Sequence, residues 1–309
     1  MDKIFYPHSI AVIGVSERPD NLAANIVRNV LALGCDGDVY AVGRRSGEVW
    51  RIPIGTSVGA LPDLLDAYGQ KGIRQAAIEP GGSAEFSKAG RDLEDRVSIV
   101  ARRRGIRFVG PNCISVVNAE NRLCLPSARL DPEAVKPCLV SVLAQSGGVS
   151  VTCLILLSEA GLGANKVVST GNKAGLDEMD YLDCLLNDPG TEIVRLYLEG
   201  IEEGRRLLEL VASSAKPVIV QKANTGATSA GITFSHTAAL ANDDRISDAA
   251  LRQSRVARAA SFNEAVALAQ RFALPPVGGD DLLIISRSGG LGRHLRFRPL
   301  WRHRGEEST

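Results

Sequence analysis

Short β-branched runs alternate with longer stretches of helical period along this chain. Strands are predicted at Ile10–Gly14, Val39–Val42, Gln75–Ile78, Arg107–Val109, Leu139–Leu143, Lys166–Ser169, Ile193–Leu198, Pro217–Gln221 and Leu282–Ile285. Helices are predicted at Asn21–Leu33, Ala84–Arg104, Val149–Ala160, Glu178–Leu186, Gly204–Ser213, Asp244–Ser254 and Phe262–Phe272. Alternation of this kind predicts an α/β fold of parallel sheets with helices on both faces. Asn118–Pro137 holds three prolines and little periodicity, which makes it the best linker and puts a domain boundary near residue 130.

Two stretches break the pattern. More than thirty residues separate Val42 from Gln75, with only Arg51–Ile54 and the amphipathic Leu61–Tyr68 to fill them. A mononucleotide-type domain would use such a length for a complete βαβ step. After Gly292 the chain becomes a run of arginines with Phe297 and Trp301. A disordered tail is the first reading of that run, and a nucleic-acid arm the second.

Composition narrows the class. A hydrophobic content of 45% and a net charge of +1 describe a globular chain with no global electrostatic reason to bind nucleic acid. No signal peptide or membrane span is expected, nor a metal site. The six cysteines form neither a CxxC pair nor a zinc spacing, so reduced thiols in a cytoplasmic protein are expected.

Candidate chemistry gathers at strand ends. Gly14 and Ser16 follow the first strand, where glycine allows close backbone approach and helix amides favour phosphate. Gln145-Ser146-Gly147-Gly148 forms a sharper turn, a nest of amides at a helix N-terminus. Ser169–Lys173 and Ser286–Gly290 repeat the theme. Pro111 and Asn112 sit in a rigid turn after Arg107–Val109. Cys113 beside them reads as core packing rather than a nucleophile. Glu199 closes the strand Ile193–Leu198, where open α/β sheets bind ligands. His236 lies in a glycine-bearing run, Ala223–Asn242, with neither helical nor strand period. Long patternless loops in α/β domains tend to be functional, and imidazole can serve as nucleophile, proton carrier or metal ligand. Glu199 could bind one imidazole nitrogen and leave the other nucleophilic.

These motifs, in order, are Gly-Val-Ser at a strand end, Gly-Pro-Asn-Cys, Gln-Ser-Gly-Gly, Gly-Asn-Lys, Tyr-Leu-Glu-Gly and Ser-His-Thr-Ala-Ala-Leu. The series resembles the NDP-forming acyl-CoA synthetases, relatives of the succinyl-CoA synthetase α subunit, over residues 4–292. The resemblance implies a Rossmann-like CoA-binding domain (1–130), then a flavodoxin-like parallel-sheet ligase domain (131–275), and the start of a further domain before the basic tail (276–309). It makes His236 the phosphohistidine and Glu199 its acidic support, with Gln145, Ser146, Gly147 and Gly148 cradling phosphate and Gly14, Ser16, Pro111 and Asn112 lining the CoA site. It implies CoA, acyl-CoA, phosphate and ADP or GDP with Mg, the last pair on an ATP-grasp partner, and an oligomer. A non-catalytic remnant that binds CoA or acyl-CoA is the alternative, and a dehydrogenase a weaker one.

The chain departs from that family in several places. A strand and helix are missing after Leu61-Pro62-Asp63, and the missing strand would sit beside the first one. Asn21-Leu22-Ala23 stands where a glycine is usual, Val42-Gly43-Arg44 replaces Val-Asn-Pro, and Ser115 and Ala238 each replace a glycine. Beyond Gly292 the tail resembles a shifted frame or a truncation. Two outcomes are open for the first domain. Either Gln75–Ile78 closes in beside Ile10–Gly14 as a four-stranded sheet, or the edges stay open; weakened CoA binding follows from both.

Overall fold

The computed structural model describes residues 2–56, 60–225, 244–254 and 256–275. Contacts group residues 1–274 into one compact unit and 275–309 into another. Within the first unit the described strands form three sheets.

The largest sheet has seven strands: β7 (Val116–Asn118), β8 (Leu123–Cys124), β9 (Val140–Ala144), β10 (Lys166–Ser169), β11 (Ile193–Leu198), β12 (Val218–Lys222) and β13 (Val256–Ala259). Their spatial order is β13-β12-β11-β9-β10-β7-β8. The five from β13 to β10 are parallel, whereas β7 and β8 add an antiparallel hairpin at one edge. Strands β9 and β12 are buried along their whole length. Sheets covered on both faces select such continuous apolar runs. Helices α5 (Gly147–Glu159) and α9 (Phe262–Ala273) pack one face through Cys153, Leu154, Leu157, Ala265 and Ala269. Helices α6 (Glu178–Asn187) and α7 (Gly204–Ser213) pack the other through Leu182, Leu185, Leu207 and Val211. A further helix, α8 (Asp244–Gln253), precedes β13. Asp177 starts α6 with a capping box shared with Asp180, which satisfies amides the helix itself cannot.

The first half is divided. Strands β1 (Ser9–Ile13), β2 (Asp38–Gly43), β3 (Gly47–Val49) and β4 (Ile52–Thr56) form a four-stranded sheet of order β1-β2-β4-β3. Helix α2 (Leu22–Leu33) covers one of its faces, where Val12, Val27, Ala41 and Ile54 meet. On the other face Ala11, Ile13 and Tyr40 stand exposed. Strands β5 (Gln75–Ala77) and β6 (Arg107–Val109) make a separate parallel pair, packed by α3 (Leu61–Gln70) and α4 (Lys88–Arg104). Gln75–Ile78 therefore does not close in beside the first strand. Among the described residues β1 pairs only with β2, and its other edge is open.

The expected linker holds structure as well. Its first residues enter the hairpin β7–β8, and Pro132–Ala134 form a 3-10 turn. One apolar core runs across residue 130, joining Phe5, Val109, Val116 and Leu123 to Leu143, Val168 and Tyr181. A short helix, α1 (Asp2–Phe5), belongs to it: the Phe5 ring meets Tyr181 edge-on at 6.4 Å. Strand Leu282–Ile285, the turn Ser286–Gly290 and the basic tail lie outside the described residues. No helix among the described residues is long and apolar enough to cross a membrane.

Candidate active site at the strand ends

Strand β9 ends at Ala144, and α5 begins at Gly147 after two residues. Gln145, in that turn, is 8% exposed, and its side chain is fully committed. Its Oε1 accepts from the amides of Glu199 (2.6 Å) and Gly200 (3.0 Å). Its Nε2 donates to the Gly200 carbonyl (2.9 Å) and to Glu178 Oε1 (3.0 Å). With its carboxamide engaged, the turn offers an anion backbone rather than a glutamine side chain. Ser146 leaves its side chain out of the helix cap, and a Cβ on Gly148 would meet nothing within 4 Å. Amides and helix dipole at that end are chemically suited to phosphate. Gly147, by contrast, packs closely on Ile114.

Glu199 follows β11, as expected, and is half-buried. While Gln145 holds its amide, Lys222 at the end of β12 donates from Nζ to its carbonyl (2.8 Å) and to the Ala223 carbonyl (2.8 Å). Glu178 lies beside this group, 3% exposed, with one carboxylate oxygen unpaired. Burial raises its pKa, partly offset by the Lys173 ammonium 3.4 Å away. Lys173 also reaches Glu202 at 2.9 Å; burial works against its charge, but the two carboxylates keep its pKa above the usual lysine value. His236 lies outside the described residues, and so does any contact between it and Glu199.

The turns after β6 and β10 are pressed together. Gly171 has a φ of +60°, and a Cβ there would lie 2.1 Å from the Pro111 carbonyl oxygen. Only glycine allows that approach. Gly110–Pro111 is a cis peptide, and Asn112 adopts a left-handed φ of 56°. Asn112 Nδ2 donates to Asn172 Oδ1 (3.2 Å), and Asn172 Nδ2 donates to Glu85 (2.5 Å) and Glu94 (3.0 Å). Burial would raise the Glu85 pKa, but Asn172 and the amides of Gly82 and Ser83 outweigh it and hold the carboxylate low. Cys113 is buried, which pushes its thiol pKa up to about 12 and keeps it protonated.

Gly14 and Ser16 sit at the end of β1, on the other sheet. Gly14 has a φ of +90° with open space around it. Asn21, where the resemblance expects glycine, reaches into this loop: its Nδ2 donates to the Gly14 carbonyl (3.1 Å), and its Oδ1 accepts from the Ser16 amide (3.3 Å) and the Ala24 amide (2.8 Å). An amide suited to phosphate is thus engaged by a side chain. The structure brings Pro111 and Asn112 to the Gly171 turn. It leaves Gly14 and Ser16 with no hydrogen bond to that group among the described residues.

Sequence reading missed Lys222, Glu178 and Glu85. Lys222 ends the run Val218-Ile219-Val220-Gln221 and resembles an ordinary solvated strand end, and Glu85 meets Asn172 across 87 positions.

Strand ends that bring glycine turns, the clamped Glu199 backbone and the buried Lys222 together on a covered parallel sheet define a flavodoxin-like domain. Residues 137–272 match the family described as "Succinyl-CoA ligase like flavodoxin domain". The chain is 33% identical over 317 residues to the α subunit of ADP-forming acetate–CoA ligase I from Pyrococcus furiosus, covering 94% of this chain and 68% of that one. It is 34% identical to ADP-forming acetate–CoA ligase I from Archaeoglobus fulgidus, covering 94% of this chain but 44% of that one. The solved acetyl-CoA synthetase 1 of Ca. Korarchaeum cryptofilum, in complex with phosphate and ADP, superimposes with a TM-score of 0.84 at 28% identity, over 94% of this chain and 66% of that one. The chain belongs to the NDP-forming acyl-CoA synthetases, among relatives of their α subunits.

Proposed function

We propose that this chain is the acyl-phosphate and phosphohistidine part of an ADP-forming acyl-CoA synthetase. The supporting observation is the Gln145 side chain, which joins the glycine turn to the Glu199 backbone at 2.6 Å and to the Glu178 carboxylate at 3.0 Å, beside a helix end suited to an anion. A phosphate oxygen attacks the thioester carbonyl, the C–S bond breaks, and CoA leaves as the thiol. A His236 nitrogen then attacks phosphorus, the P–O bond to the acyl group breaks, and the carboxylate leaves. Phosphohistidine finally passes the group to ADP on an ATP-grasp partner that holds Mg. Amides at the α5 end would carry the phosphoryl charge, and the chemistry depends on positioning and electrostatics rather than on a strong acid.

The proposal keeps residues 1–130 for CoA, 131–275 for phosphoryl transfer, and an oligomeric, cytoplasmic assembly. The six free cysteines fit such a compartment. Names of relatives support ADP over GDP. A second reading, a CoA-binding remnant without turnover, is favoured by the divided first sheet and by Asn21 in the Gly14 loop.

Incubation with acetyl-CoA and labelled phosphate separates the two. Acid-labile, base-stable label is expected on the wild-type chain and absent from His236→Ala. No ATP is expected when ADP is added without a partner. A wild-type chain that takes no label, or ATP made by the chain alone, would overturn this assignment.

A further inference from the structure

Lys222 is 6% exposed, at the last position of β12 and opposite Leu198 in the parallel ladder. Burial lowers its pKa, so the chain spends stability to keep an amine there. Its Nζ reaches two backbone carbonyls, of Glu199 and Ala223, where the chain leaves β11 and β12. Carbonyls that have run past a ladder need another donor, and an ammonium supplies several from one point. The Glu199 backbone is consequently held at both ends, its N–H by Gln145 Oε1 and its C=O by Lys222. Ala223 is gripped in the same way, because its N–H donates to Leu198 O at 2.8 Å. Two exits from the sheet are thereby fixed relative to one another by a single side chain.

We propose that Lys222 is a positioning residue for phosphoryl transfer: it fixes the backbone of Glu199 and of Ala223 where the chain leaves β11 and β12. This rests on the reading of His236 and Glu199 given above. Its effect is geometric. A displacement of about 1 Å at a reacting group costs on the order of 100-fold in rate, which sets the size expected here.

The test uses the full chain as Lys222→Met and Lys222→Arg. Amide exchange is read first, because it needs no activity. At Glu199, Gly200 and Ala223 the methionine variant is expected to exchange on the order of tenfold faster, with Val140–Ala144 unchanged. Labelling of His236 from acetyl-CoA and phosphate is read second. Its maximal single-turnover rate is expected to fall about 100-fold in the methionine variant, with the half-saturating phosphate concentration within about twofold, and the arginine variant is expected to recover most of the rate. Unchanged exchange at those amides overturns the clamp. Labelling at the wild-type rate, or a loss lying wholly in the half-saturating phosphate concentration, overturns the positioning role, the latter by making Lys222 a phosphate ligand. Faster exchange with no label even on the wild type upholds the clamp and removes the functional reading instead.

Discussion

Glu79 lies two residues past β5 with both carboxylate oxygens buried. Burial lifts its pKa to about 7, which Ser127 only partly offsets. The folded chain therefore holds a proton that the unfolded chain releases near pH 4.5. Stability from this group is complete below that pH and is lost as pH rises through about 7, an effect on the order of 3 kcal/mol. Glu79→Gln is expected to match the wild type near pH 5 and to exceed it at pH 8, as read from urea midpoints. An equal decline in both proteins would contradict the assignment. Residue identities at the site were legible to different degrees. Gln145 and Glu199 were found from the strand-to-turn pattern. What Gln145 does was not, because a glutamine at a glycine turn looks the same whether it faces a ligand or ties down a neighbouring loop. Lys222 gave no signal at all, since its partners are backbone carbonyls and carry no side-chain signature.

The four central strands of the seven-stranded sheet, β9 to β12, were read to within a residue at each end, because β-branched runs buried on both faces leave little ambiguity. Lys166–Ser169 and Ile193–Leu198 agree with the structure at both ends, as does Arg107–Val109 in the separate β5–β6 pair. The hairpin β3–β4 was missed for a definite reason. Its two-residue turn is Trp50-Arg51, both with positive φ (50° and 67°), where Asn-Gly or Asp-Gly would give the hairpin away. Strand β13 was missed because its burial is only partial until Ala259, so no apolar run marks it. A strand was expected to be missing beside Ile10–Gly14, and among the described residues β1 pairs only with β2; the place of Gln75–Ala77 was not determined, since three residues without a pattern do not specify a neighbour. An open β1 edge has a measurable consequence. Amides on that edge lack ladder acceptors, so part of Ser9–Ile13 is expected to exchange at least tenfold faster than Val140–Ala144. Protection equal to that of β9 would mean that something covers this edge in solution.

At the scale of the molecule, sequence reading placed a division near residue 130, guided by prolines and lost periodicity. Those signals mark a change of chain direction and do not report which sheet the neighbouring strands join. Strands β7 and β8 lie before the division yet complete the seven-stranded sheet, with Val116–Asn118 antiparallel to Lys166–Val168. Ser169 donates from its amide to the Ser115 carbonyl (2.9 Å), and Ala119 from its amide to Asn165 (2.8 Å). Lys166, 1% exposed, pairs with Glu120 at 3.1 Å from across the same line. Polypeptide continuity through Asp131–Pro132 is then dispensable for cohesion. Cleavage at a protease site inserted between these two exposed residues is expected to give two fragments that co-elute in native buffer and part only in denaturant. The hairpin would act as a molecular rivet, and the nicked protein would behave in solution as a tight heterodimer of its own halves.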